Sequence, residues 1–134
     1  MNEHSALAEK ILDSAADAVI CTDRAGVIIR WNRASAALFG FSAEDALGQN
    51  VDLIIPEHLR APHWNGFHAA MAKGATKLQG RATLTRALHK GGRRLYVEMS
   101  FAVVKGDSDV IGAVAVARDV TERVERERAA TRST

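Results

Sequence analysis

Three of the chain's five histidines, His58, His63 and His68, fall within residues 56–71, together with both prolines and the aromatic pair Trp64 and Phe67. Small-molecule chemistry belongs here if anywhere, because imidazole is the commonest metal ligand. The three rings cannot share one ion. They recur every five residues, about 140° apart on a helix that turns about 100° per residue, so no two share a face. His63 therefore stands alone, with Arg60 three residues ahead. Trp64 and Phe67 are candidates for a pocket wall, and Met71 and Met99 for soft core filler. Cys21 is the only cysteine. It can form no internal disulfide, which fits a reducing compartment, and is expected to be a small buried hydrophobe. His4 and His89 are expected to face solvent. No nucleophile elbow, glycine-rich phosphate loop or metal motif occurs, and Glu44-Asp45 reads as the first turn of a helix. The chain is expected not to be an enzyme.

These residues need elements to position them. Leu7, Ala8, Ile11, Leu12 and Ala15 are spaced three and four apart, which predicts an amphipathic helix over residues 5–14. Two apolar runs, 18–22 and 27–31, flank Asp23-Arg24-Ala25-Gly26 and predict a hairpin. Asn32 caps a helix that stops at Gly40, and Ser42 with Asp45 predicts a second, very short one. Residues 56–73 read as mostly helical, with the main helix restarting at Pro62 in its first turn and stopping at Gly74. Three strands are expected at 80–88, 95–104 and 110–117. The middle one alternates Leu95, Val97, Met99, Phe101 and Val103 on one face. The last is apolar on both faces, so its outer face is expected to need the N-terminal helix or a partner subunit. A charged helix follows over 120–128, with Glu122 and Arg126 spaced for an ion pair, Val120 and Val124 as a two-position seam, and a frayed tail. Strands separated by a helical block, not alternating with helices, argue α+β with an antiparallel sheet.

The totals bound the rest. With 134 residues, one domain with its own core is expected. Basic residues exceed acidic ones by two and are dispersed, so no nucleic-acid footprint is expected. No apolar run approaches the roughly 20 residues of a membrane span, and the polar N-terminus does not resemble a signal peptide. A cytoplasmic domain is expected.

Asp23-x-x-Gly26, Trp31-Asn32, Phe39-Gly40-Phe41-Ser42 with Glu44, Gly48, Pro56 and Arg118-Asp119-Val120-Thr121 occur in order along the chain. In this combination the sequence resembles the PAS family of sensor domains over roughly residues 8–124. The resemblance implies a five-stranded antiparallel sheet of order 2-1-5-4-3, with short helices and one longer helix over one face enclosing a pocket. Residues 1–16 become a flanking amphipathic helix, as cap or dimer contact, 17–120 the sensor core, and 121–134 a C-terminal signalling helix or linker. It further implies a signalling junction at Arg118, Asp119 and Thr121, a homodimer, and a partner or effector such as a histidine kinase in a two-component system.

The resemblance also bears on the cofactor. Flavin-binding photosensor PAS domains carry a cysteine in an Asn-Cys-Arg-Phe-Leu-Gln type motif; Cys21 sits on the first strand, which argues against FMN. Oxygen-sensing haem PAS domains carry Arg-x-x-His on the long helix, and Arg60-Ala61-Pro62-His63 matches that spacing. This implies haem with His63 as iron ligand, Trp64, Phe67, Met71 and Met99 around it, and Arg81 as a distal cation. Hydrophobicity puts Ala82, Leu84, Arg86 and Leu88 on the core face of that strand; the resemblance puts Arg81, Thr83, Thr85 and Ala87 there. Both remain open, as does a cofactor-free dimerisation module.

Overall fold

The structure, a computed structural model, describes residues 3–77 and 80–133. Met1, Asn2 and Thr134, which belong to the expected flanking segments, lie outside the described residues.

Helix α1, Glu3–Ser14, leads into strands β1, Ala18–Asp23, and β2, Ile28–Trp31. Asp23 makes the turn between them. Its Oδ1 accepts from the amides of Ala25 (2.9 Å) and Val27 (3.0 Å), and Gly26 takes φ +84°, where side chains are strained. Helices α2, Arg33–Phe39, and α3, Ala43–Ala46, are capped by Asn32 and Ser42 as expected. A 3₁₀ turn, Val51–Ile54, then leads to α4, Glu57–Lys73. Strands β3, Thr83–Leu88, β4, Arg94–Lys105, and β5, Val110–Asp119, complete the sheet before α5, Thr121–Ser133. The sheet has order β2-β1-β5-β4-β3 with every pairing antiparallel. The free edge of β2 is partly covered: Ile28 donates to the Gln49 carbonyl and accepts from Gly48.

The core lies on one face of this sheet. Ile20, Ile28, Phe39, Leu95 and Val97 are fully enclosed there, with Trp31 and Ala117 beside them. Trp31 is held twice, by its indole N–H on the Phe41 carbonyl (2.9 Å) and by the Phe39 ring at 5.5 Å.

Several expectations need correction. Helix α4 begins at Glu57, not at Pro62, and Pro62 lies inside it. Arg60 ties the first turns to the preceding 3₁₀ turn: its guanidinium donates to the carbonyls of Ile55 (3.1 Å) and Asp52 (3.4 Å). On β3 the polar side faces inward. Ala87 is buried while Leu84 is 53% exposed, because Thr83, Thr85 and Ala87 pair with the inward-facing Met99, Val97 and Leu95. Hydrophobicity misleads here because an edge strand has little core to cover. Helix α5 runs on to Ser133, beyond the expected end at 128. Its ion pairs start from Arg123, to Glu98 (2.7 Å) and Glu127 (3.8 Å), instead of Glu122–Arg126. Val120 and Val124 are buried within the chain and so do not form an open seam.

The outer face also departs from expectation. Helix α1 buries no residue, and its Leu7 and Ile11 are exposed. It is tied instead to β2 and α2, through Glu9–Arg30 (2.8 Å) and through Asp13, which accepts from the Arg33 amide. Val116 on the outer row of β5 stays exposed. Cys21 is half-buried, beside Arg30 and Val114 in the register, and not in the core. His89 does not face solvent freely: its Nδ1 accepts from the Gly91 amide (2.9 Å) and shapes the β3–β4 turn.

Candidate functional site

Between α4 and the far end of the sheet lies a cleft of about 740 Å3, within the range of roughly 300–1,000 Å3 typical of small-molecule sites. Helix α4 lines it with Pro62, His63, Phe67, Ala70, Met71 and Lys73. The turn after it adds Ala75, Thr76 and Lys77, and the sheet adds Phe101, Val103 and Ala113. The sheet residues are inward-facing neighbours: Val103 pairs with Ala113, and Ala113 with Thr22 on β1. Thr76 donates to the Phe101 carbonyl (3.4 Å), which pins the turn against β4.

His63 stands on the α4 wall among aromatic rings. Trp64 meets it edge-on at 4.8 Å, Phe67 stacks at 5.9 Å and Phe101 closes from the sheet at 6.4 Å. Its Nδ1 is buried and has no hydrogen-bond partner among the described residues. Burial pushes its pKa down; Asp52 opposes this and His68 adds to it, so the imidazole is neutral near pH 7. A buried polar atom without a partner calls for an explanation, since nearly all such atoms are paired. A second one is the Oγ1 of Thr22, a residue only 5% exposed, in the same inward row as Ala113 and Val103.

The other candidates divide. Phe67 and Met71 are buried and line the cleft. Met99 is buried in the main core, and neither it nor Trp64 lines the cleft. Trp64 reaches the opposite way. Its indole N–H donates to Asp52 Oδ1 (2.9 Å), and its ring lies so near Gly26 that a Cβ there would collide with it. Arg81 is exposed in irregular chain two residues ahead of β3 and does not line the cleft. Arg60 is occupied with backbone carbonyls, so the Arg-x-x-His spacing builds a helix start and delivers one functional ring. Sequence reasoning missed Lys73 and Lys77 on the cleft wall, and Thr22 as a buried hydroxyl paired in register with Ala113. Thr22 left one signal, a hydroxyl at an inward position of an otherwise apolar run. The lysines read as ordinary charge at a helix end. At Cys21 burial, opposed by Arg30, pushes the thiol's pKa up and so disfavours the thiolate.

The β5–α5 junction is knitted to β4. Asp119 Oδ1 accepts from both the amide (2.9 Å) and hydroxyl (2.6 Å) of Thr121. Thr121 Oγ1 in turn accepts from the Tyr96 amide (2.9 Å), and the Val120 amide donates to the Tyr96 carbonyl (2.9 Å). Arg118 pairs with Asp17 ahead of β1, at 3.2 and 3.3 Å. On the outer face, Tyr96 lies between the guanidinium groups of Arg86 (5.7 Å) and Arg128 (4.8 Å), which holds α5 against the sheet.

Comparison with known proteins agrees with this architecture. The sensor protein FixL of Bradyrhizobium diazoefficiens is 42% identical over 53 residues, 40% of this chain and 10% of that protein. The oxygen sensor protein DosP of Escherichia coli is 24% identical over 94 residues, 70% of this chain and 12% of that protein. The chain spans only 10% to 16% of the length of the curated relatives it matches. The crystal structure of a PAS domain from Colwellia psychrerythraea superposes with a TM-score of 0.74 at 29% identity, covering 90% of this chain and 99% of that one. A family profile described as the PAS fold matches residues 12–125, and with the sheet order and cleft above, the chain belongs to the PAS family of sensory domains.

Proposed function

We propose that this PAS domain holds haem b in the α4 cleft through His63, and relays the state of the cleft through the junction at Arg118, Asp119 and Thr121 into α5. Its output is a partner or effector such as a histidine kinase, and its action is binding, not catalysis. The observation that carries this reading is the buried, unpartnered Nδ1 of His63 on an apolar, aromatic wall. The donor chemistry fits. A metal-ligating imidazole must be neutral, and burial holds His63 in that form. Phe67, Met71 and Phe101 supply apolar walls, and Lys73 and Lys77 supply cations at the cleft's other end. Haem bound there would supply an iron centre able to take a diatomic gas, and the relative named as an oxygen sensor supports that chemistry. Arg81 would have to swing inward from the head of β3 to act as the distal cation. FMN finds no cysteine on the cleft wall.

The relay has a covalent route. Ala113 lines the cleft on the strand that ends at Asp119, so a displacement of β5 pulls directly on the Thr121 knot. The test is an absorption spectrum of the purified chain titrated with haem. A sharp Soret band that is lost in His63→Ala is expected; a band unchanged in that variant would sink the assignment.

The second reading is a cofactor-free dimerisation module. Leu7 and Ile11, four apart on α1, are 55% and 59% exposed and form an apolar stripe suited to a second copy of the chain.

A further inference from the structure

The cleft has a charge asymmetry that His63 does not account for. Its α4 end is apolar and aromatic. Its other end, about 15 Å further along the helix at 1.5 Å per residue, carries Lys73 and Lys77. A third amine joins them: Lys105 Nζ lies 3.6 Å from where a Cβ on Gly74 would stand. Among the described residues no aspartate or glutamate lines the cleft. Among the described residues none of these three lysines enters an ion pair, although Asp107 and Asp109 sit in the adjoining β4–β5 turn. Three like charges around one rim repel one another, and an anion placed between them relieves that repulsion.

We infer that the cleft selects apolar ligands bearing a carboxylate, with the body against Phe67, Met71 and Phe101 and the carboxylate among Lys73, Lys77 and Lys105. The inference rests on the reading of this cleft as the sensory site, but not on iron or on His63. Two sources share the chemistry: the propionates of a cyclic tetrapyrrole and the head of a long-chain fatty acid. The lysines are positioning residues. They fix which end of the ligand points out, and they make affinity salt-dependent.

The experiment uses the full chain with two metal-free probes, protoporphyrin IX followed by fluorescence and hexadecanoate followed by calorimetry. The parent is compared with Lys73→Gln/Lys77→Gln, Lys73→Arg/Lys77→Arg and His63→Ala. At least one probe should bind about tenfold more weakly to the glutamine variant, since two partly exposed ion pairs are worth that much. The arginine variant should restore binding, and His63→Ala should leave the lysine dependence intact. Binding of protoporphyrin alone identifies a tetrapyrrole, and of hexadecanoate alone a fatty acid. Equal affinity in the parent and glutamine variant, or no binding of either probe, overturns the inference. A haem band dependent on His63 but indifferent to the lysines would remove this inference and leave the haem reading standing. Lysine-dependent binding of the metal-free probes without such a band would do the reverse. The lysines are exposed, so all variants should keep the parent's circular dichroism.

Discussion

Asn32 is the side chain on which the entrance to the fold depends. It is 3% exposed and its amide is fully engaged. Oδ1 accepts from the amides of Val19 (2.9 Å) and Ser35 (3.0 Å) and from the Ser35 hydroxyl (2.8 Å). Nδ2 donates to the carbonyls of Leu12 (2.7 Å) and Asp17 (3.1 Å). One residue thus caps α2 and joins the end of α1 to β1. Asn32→Asp would set a carboxylate oxygen against two carbonyls, and Asn32→Ala would orphan several buried groups. A loss of about 3 kcal/mol is expected for either by urea unfolding, and a loss below about 1 kcal/mol would show that water replaces these bonds. His63 makes a second residue-scale prediction. Burial holds its pKa below the ordinary value, about 6.5, so the unfolded chain takes up a proton there that the folded chain resists. The stability from the neutral ring is complete above that ordinary value and is lost as pH falls toward the folded one. In haem-free protein, His63→Phe should therefore flatten the fall in unfolding midpoint between about pH 7 and 5. Parallel pH profiles for parent and variant would refute this.

At the scale of elements, the decisive joint is the end of β5. Thr121 Oγ1 takes the Tyr96 amide as the strand becomes a helix, so β4, β5 and α5 meet at one hydroxyl. Thr121→Val keeps the shape and removes that acceptor. It should cost about 1–2 kcal/mol and raise amide exchange in α5 more than in β1 or β2, read by hydrogen–deuterium exchange. Uniform acceleration across the chain would mean that the knot serves global stability only. Gly112 is a second element-scale constraint. A Cβ there would meet the Thr22 carbonyl and the Asp23 backbone, because β1 passes directly across it. Gly112→Ala should therefore separate β1 from β5 and lower the melting temperature by several degrees. An unchanged melting temperature would mean that the strands shift freely.

For the whole molecule, the exposed apolar surface bears on association. No residue of α1 is fully buried, Leu7 and Ile11 lie on its surface, and Val116 is exposed on the outer face of the sheet. Because the core does not depend on the α1 stripe, Leu7→Asp/Ile11→Asp should leave the melting temperature within a few degrees of the parent. If α1 mediates self-association, light scattering should show the parent as a dimer and this variant as a monomer. A dimer that survives both charges would exclude α1 as the contact. Among the described residues no helix is long and apolar enough to cross a membrane.

Much of this molecule follows from local chemistry. The Asp23–Gly26 turn, the Asn32 and Ser42 caps, the stop at Gly40 and the alternation along β4 each rest on residues a few positions apart, so their elements were legible in the chain alone. So was the sheet order, because the turn, cap and junction residues recur together in the PAS pattern. The tertiary structure decided what depends on distant partners. It turned the polar side of β3 inward, because pairing with β4 and not hydrophobicity sets the facing of an edge strand. It kept α4 continuous through Pro62 and gave Arg60 carbonyls on the preceding turn. Among the described residues it also left two buried polar atoms unpaired, and it brought lysines from α4, the turn after it and β4 to one end of the cleft. Spacing along the chain carries no trace of such convergence, since it arises only when the helix is laid across the sheet.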